Sequence, residues 1–158
     1  MAYRIQHNST LRERALQQLY ALQEFSLANY AAQSRLYVGD GERPFLVAIR
    51  DIAQQQAARA IEIGSLLANR RVFLQRQGFP LRFTGLNDLS AAYVARQILG
   101  GQPELIAAIG QCVDKLHGDH EGQMLARRIL ADEEENLRCL KRVLGEKTDA
   151  ATNLRIAA

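Results

Sequence analysis

The chain is poor in residues that interrupt regular structure: its 158 residues include 3 prolines and 11 glycines. No segment alternates apolar and polar side chains with a period of two, and no hairpin dipeptide or internal repeat occurs, which excludes a strand-built fold. Cysteine is scarce too. Cys112 and Cys139 fall in different predicted helices without a C-x-x-C partner, so buried thiols are expected rather than a redox pair or a zinc site. Only three histidines are present, His7, His117 and His120, all near predicted helix ends. No window approaches the roughly 18 apolar residues of a membrane span. The opening MAYRIQHNST lacks the apolar stretch of a signal peptide. A cytoplasmic protein with no membrane partner is the expectation.

Charge of one sign is also missing in any concentrated form. The net charge of +3 arises from 20 basic and 17 acidic residues, and the basic ones come in scattered pairs such as Arg70-Arg71, Arg127-Arg128 and Lys141-Arg142. Such spacing describes a solvated surface and argues against a nucleic-acid partner. Apolar residues make up 47% of the chain, enough for one globular domain over 1–158 and far from the composition of disorder.

Long intervals between breakers predict an all-α chain with helices over about 10–37, 42–77, 87–116 and 120–144, and a weakly patterned tail at 146–158. Thr10 and Glu13 have capping-box spacing. Asp40 is the expected cap of the second helix, with Pro44 tolerated in its first turn. Gly100-Gly101-Gln102-Pro103 predicts a kink or break in the third helix, and Gly145 the end of the fourth. His117-Gly118-Asp119 reads as a C-cap followed directly by an N-cap. The apolar connection GFPLRFTGLN is expected to lie along the surface of the fold, giving a four-helix bundle with a long crossover between helices two and three.

Steps of three and four residues locate the inward faces. In the second helix Leu46, Ile49, Ala53, Gln56, Ala60, Ile63 and Leu67 form a seam that Gln56 interrupts. In the first, Leu16, Tyr20, Gln23, Leu27 and Tyr30 do the same, with Glu24 beside the seam. The fourth runs through Ala126, Ile129, Glu133, then Asn136 or Leu137, to Leu140, whereas the third, Val94, Ile98, Leu105, Ala108 and Cys112, is apolar with Gln97 flanking. A polar layer at mid-height must therefore be hydrogen-bonded or metal-bound, because an unpaired buried carboxylate costs several kcal/mol.

ILADEEENLRCL (129–140) resembles the fourth helix of bacterioferritin-type members of the ferritin-like superfamily, which carry E-x-x-H after an acidic run. IEIGSLLANRRVFLQRQGFP (61–80) is similar to their second helix and its exit, and FSLANYAAQ (25–33) to their first, with Tyr30 as the inward tyrosine. The resemblance implies an up-down-down-up bundle and a di-iron site taking a glutamate from each of two helices and Glu-x-x-His from the other two. Carried over by position, Glu133 matches the carboxylate of the fourth helix and Asn136 stands at the histidine. The second helix offers Glu62 with Ser65, or in an earlier register Gln55 or Gln56 with Ala58 or Arg59. The third offers Ile98 or Gln97, the first Gln23 or Glu24. Ile63 occupies the place of a haem methionine.

The resemblance thus implies a site that has lost most of its ligands, leaving a vestigial layer of Gln23, Glu24, Tyr30, Gln56, Glu62, Glu133 and Asn136, with no cofactor and no catalysis. Glu134 and Glu135 suit surface pairing with Arg138 and Lys141. A structural or interaction role follows, as a homodimer paired through the first two helices using Phe25, Phe45 and Phe73. The alternative is a divergent di-metal oxidoreductase or ferroxidase built on Glu24, Glu62, Glu133 and Glu104. A DNA-protecting shell draws only on the mild positive charge, and the nearly neutral tail EKTDAATNLRIAA counts against it.

Overall fold

Side chains that satisfy the first unpaired N–H groups set where helices begin. A computed structural model describes residues 10 to 156 except Asn87, with side chains described as far as Gly145. Among the described residues all regular structure is helical, apart from one isolated bridge between Tyr37 and Ser90. The elements are α1 (Leu11–Glu24), α2 (Leu27–Gln33), α3 (Arg43–Asn69), a 3-10 segment (Leu81–Leu86), α4 (Ala91–Lys115) and α5 (His120–Ile156). Thr10 and Glu13 form the expected capping box, the threonine hydroxyl accepting from Glu13 N at 3.1 Å and the Glu13 carboxylate from Thr10 N at 2.8 Å. Ser26 and Ser90 cap α2 and α4 by the hydroxyl alone, accepting from Asn29 N and Tyr93 N.

Several boundaries differ from the sequence expectation, each for a local reason. The first helix is not continuous over 10–37 but breaks at Phe25-Ser26, where Ser26 leaves helical geometry to cap α2. The amide of Asn29 closes the gap, donating to Gln23 O at 2.6 Å and to Glu24 O at 3.2 Å, carbonyls that the break would otherwise orphan. The second helix starts from Glu42, which makes no side-chain cap, so Asp40 does not fill that role. It ends at Asn69 rather than near 77, through two bonds, Val72 N to Leu67 O and Arg71 N to Ala68 O. That pair is a Schellman motif, with Arg71 at φ 56° in the place glycine ordinarily takes.

The third helix runs without interruption through Gly100 and Pro103. The fourth passes Gly145 and continues to Ile156, so the weakly patterned tail is helical as far as it is described. A lone helical glycine costs about 1 kcal/mol, which does not end a helix already paired on both sides. Between α4 and α5, Gly118 has φ +79°, and a Cβ there would lie 2.6 Å from the Arg12 guanidinium, which donates to His117 O.

α1 and α2 both pack on α3, α4 packs most extensively on α5, and α3 also touches α4 and α5. The apolar interior is split into two clusters. One gathers Ala28, Phe45, Ile49, Ile52, Val94, Ile98 and Leu140, and the other Leu16, Leu19, Ile63, Leu67, Ile109, Cys112 and Ile129. Between them along every long helix lies a buried polar residue: Gln23, Gln56, Gln102 and Glu133. The connection from α3 to α4 folds against this body with Phe83 and Leu86 buried, and Phe79 meets the rings of Phe25 and Tyr30 edge-on. Phe45 is therefore core and Phe25 half-buried, so of the three phenylalanines expected at a dimer contact only Phe73 is exposed, at 89%. No helix among the described residues is long and apolar enough to cross a membrane.

Of the two thiols, Cys112 is buried and Cys139 partly so, and both are free. Burial pushes the Cys112 thiol up to about 11, against a smaller opposing pull from Lys115, so it is protonated and unreactive at neutral pH.

Asp119 ties the end of α3 to the start of α5. Its carboxylate takes two bonds from Arg70, at 2.5 and 2.9 Å, and accepts from Gly122 N at 3.1 Å. The Arg70 bonds, aided by the Gly122 N–H and opposed by burial, hold the Asp119 carboxyl below the ordinary carboxylate range. A folded-state value below the unfolded one means the stabilisation is present above about pH 4 and is lost as the pH falls through the folded-state value. Asp119→Ala is expected to lower stability at pH 7 by about 1–2 kcal/mol. In urea titrations the gap between variant and parent narrows as the pH drops below about 4.

Candidate functional site

Glu133 lies at mid-length of α5 with 1% of its surface exposed, and every side chain that meets it is a donor. Gln23 Nε2 from α1 donates to Oε1 at 3.1 Å, and Gln56 Nε2 from α3 to the same oxygen at 2.7 Å. Gln102 Nε2 from α4 donates to Oε2 at 2.6 Å, and Asn136 Nδ2, one turn along α5, to Oε2 at 3.2 Å. Four amide N–H groups from four helices thus converge on the two oxygens of one acid. An acceptor with no donor role is a carboxylate, so the group carries its negative charge inside the protein.

The amide orientations follow from their other partners. Ser26 Oγ accepts from Asn29 N at 3.0 Å and donates to Gln56 Oε1 at 2.6 Å, which turns the Gln56 nitrogen toward Glu133. Gln102 Nε2 also lies 3.4 Å from Glu133 O, an acceptor. Asn136 Nδ2 is shared with Gln55 Oε1 at 2.8 Å. The layer is thus a directed chain running from a backbone N–H through a hydroxyl and an amide to the carboxylate. Bonds to a charged acceptor contribute about 1.5–3 kcal/mol each and together offset the desolvation of the acid.

The break between α1 and α2 is what admits Ser26 to this layer. A continuous helix would hold the Ser26 hydroxyl against its own backbone, whereas a cap residue presents it both to Asn29 N and across to Gln56.

Gln23, Gln56, Glu133 and Asn136 are therefore joined by hydrogen bonds, while the other three residues expected in the layer lie elsewhere. Glu24 is half-buried at the end of α1, where its backbone carbonyl accepts from the Asn29 amide. Its charge, second to burial, raises the Tyr20 hydroxyl above its ordinary range. Tyr30 packs on the rings of Phe79 and Phe83 instead of reaching inward. Glu62 faces outward, where it pairs with Arg59 at 2.7 Å and with Arg128. Arg59 in turn binds Asp132 at 2.7 Å, so a ladder of alternating charges runs along the α3–α5 seam beside the layer. Burial pulls the Arg59 guanidinium down, but its bonds to Asp132 and Glu62 outweigh that and leave it raised.

Gln102 was missing from the sequence expectation, which placed Ile98 or Gln97 at this level. Its signal was present, since Val94, Ile98, Gln102 and Leu105 continue the steps of four and three. The flanking glycines and proline hid it by suggesting a break.

The donor set does not suit a pair of metal ions. Three of the four central positions offer amide nitrogens with their protons turned inward, and among the described residues no three His, Cys, Asp or Glu side chains cluster. His117 and His120 are exposed, far along the chain from the layer, and His7 lies outside the described residues. Comparison of the chain with protein-family models, with curated proteins and with solved structures gives no match.

Replacing Glu133 with glutamine keeps its size but turns one acceptor into an NH2 that faces other donors. Glu133→Gln is expected to cost about 2–4 kcal/mol in urea unfolding with an unchanged slope. A loss under about 0.5 kcal/mol, the scale of an ordinary surface substitution, would contradict the converging network.

Proposed function

We propose that this chain is a ferritin-like, up-down-down-up four-helix bundle whose di-iron centre has been replaced by a hydrogen-bonded amide layer. Its role is non-catalytic, structural or as an interaction module, in the cytoplasm. In this reading α1 and α2 together are the first helix of the bundle, and the segment carrying Phe79, Phe83 and Leu86 is its crossover.

The observation that carries the reading is positional. A ferritin-like metal site takes single carboxylates from two helices and Glu-x-x-His pairs, three residues apart, from the other two. Gln23 on α1 and Gln102 on α4 stand alone, whereas Gln56 with Arg59 on α3 and Glu133 with Asn136 on α5 have the three-residue spacing. Glu133 is the one carboxylate left among these six. The register that put Glu62 and Ser65 in the site is set aside, because Glu62 is engaged at the surface by Arg59 and Arg128.

Each replacement has a physical sense. A glutamine is close in shape to glutamate but neutral, and its nitrogen donates where the acid would accept. Three such changes remove three negative charges that only a cation could hold together, and the fourth acid becomes the acceptor that binds the rest. A layer of this kind fixes helix register, because a shift of one turn would strand every amide. The oxidoreductase alternative gains nothing from the placement of its acids: of Glu24, Glu62, Glu104 and Glu133, the last alone enters the layer.

A homodimer belongs to the same proposal. Leu11, Val47 and Ile61 on α1 and α3, and Phe73 just after α3, are large, apolar and exposed, which suits an isologous contact on the first two helices.

Metal analysis after growth in iron-rich medium tests the proposal. The parent chain is expected to carry far less than one iron per chain, while the combined variant Gln23→Glu, Gln56→Glu, Arg59→His, Gln102→Glu, Asn136→His gains about two. Near-stoichiometric iron in the parent, or a folded five-site variant that takes up none, would sink it.

A further inference from the structure

A cavity of about 770 Å³ opens beside the amide layer, between the α1–α2 break, the 3-10 segment and α4. Its volume is that of a small-molecule site. Its wall is apolar, formed by Leu22, Phe25, Phe83 and Ile98, and its floor is made by Gln56 and Gln102 of the layer. Gln102 is 2% exposed and its nitrogen is engaged by Glu133, while its oxygen receives no hydrogen bond from any described residue.

Gly100 and Gly101 line the same cavity in the interior of α4. Glycine is the poorest helix former after proline, so two in succession need a reason. The protein's own packing gives none: a Cβ at either position would meet nothing within 4 Å, and neither has a positive φ. What the pair leaves is space. Arg96 precedes Gly100 by one turn, and Glu104 follows it by one turn, so the opening has a charged rim on that side. Arg82, its guanidinium 5.4 Å from the centre of the Phe83 ring, lines the cavity too. Neither arginine has an ion-pair partner among the described residues, so both guanidinium groups are open to an anion.

We propose that this cavity binds a single-chain amphiphile with a carboxylate head. The chain lies along the apolar wall over Gly100 and Gly101, and the head is held at the rim by Arg82 and Arg96, two guanidinium groups against the one carboxylate of Glu104. The site does not depend on the history of the amide layer, and a metal-binding or metal-free layer leaves the inference unchanged.

Calorimetric titration with decanoate, 1-decanol and decyltrimethylammonium, each below its aggregation limit, provides the test. Decanoate is expected to bind saturably with one site per chain and the cationic amphiphile not at all. Gly101→Leu fills the space and should abolish binding. Gly101→Ala should raise Tm by about 2–4 °C because the parent glycine serves the ligand and not the fold. The double variant Arg82→Gln, Arg96→Gln keeps the cavity, so it decides the matter even where the leucine variant fails to fold. It should weaken decanoate at least about tenfold, the worth of one charge-assisted contact, and leave decanol unchanged. Absence of saturable decanoate binding, binding that survives in folded Gly101→Leu, or equal decanoate affinity in the double arginine variant would overturn the proposal.

Discussion

A single buried carboxylate imposes conditions on everything around it. Once Glu133 is ionised inside the protein with no cation against it, its charge has to be met by N–H dipoles, and those have to come from every side. α1, α3 and α4 each supply one glutamine, and α5 adds Asn136 from its own next turn. The break at Phe25-Ser26 belongs to the same requirement, since it frees the Ser26 hydroxyl to orient Gln56 and is sealed by Asn29. The division of the apolar core into two clusters is the complementary result: side chains above and below the layer can pack only with their own kind.

Helical periodicity made much of this legible. The seams of three and four steps placed Gln23, Gln56 and Glu133 on inward faces, and each is buried. Periodicity says nothing about breaks made by capping, so the division of the first helix was invisible: Phe25-Ser26 contains neither glycine nor proline, and the face is kept across the break. The end of α3 was hidden similarly, because Arg71 takes the left-handed position where glycine would have announced a stop. Gly100, Gly101 and Pro103 misled in the opposite direction, since propensity is a weak term beside tertiary packing on both flanks of α4. Local likeness misled at Glu62. A short acidic motif does not reveal whether its acid faces the core or an arginine on the next helix.

The layer is a polar device in a place where well-packed aliphatic side chains could give equal or greater stability. What it adds is uniqueness. Each amide nitrogen has one geometry in which it reaches Glu133, and the whole set fails if one helix slides. The cavity beside the layer has a different physical origin, in missing side chains on α4 and unpaired cations at its rim. Its floor is nevertheless the same Gln56 and Gln102, so an occupant would rest on the most rigid part of the interior.

The central claim is that the side-chain amides of Gln23, Gln56 and Gln102 are locked onto Glu133 in the native state. Side-chain amide hydrogen exchange followed by NMR measures this directly. If the layer is built as described, the bonded Nε2 protons of all three exchange only through global unfolding, as slowly as the best-protected backbone amides of α5. Exchange of these protons on the timescale of exposed glutamines such as Gln54 or Gln111 would contradict it.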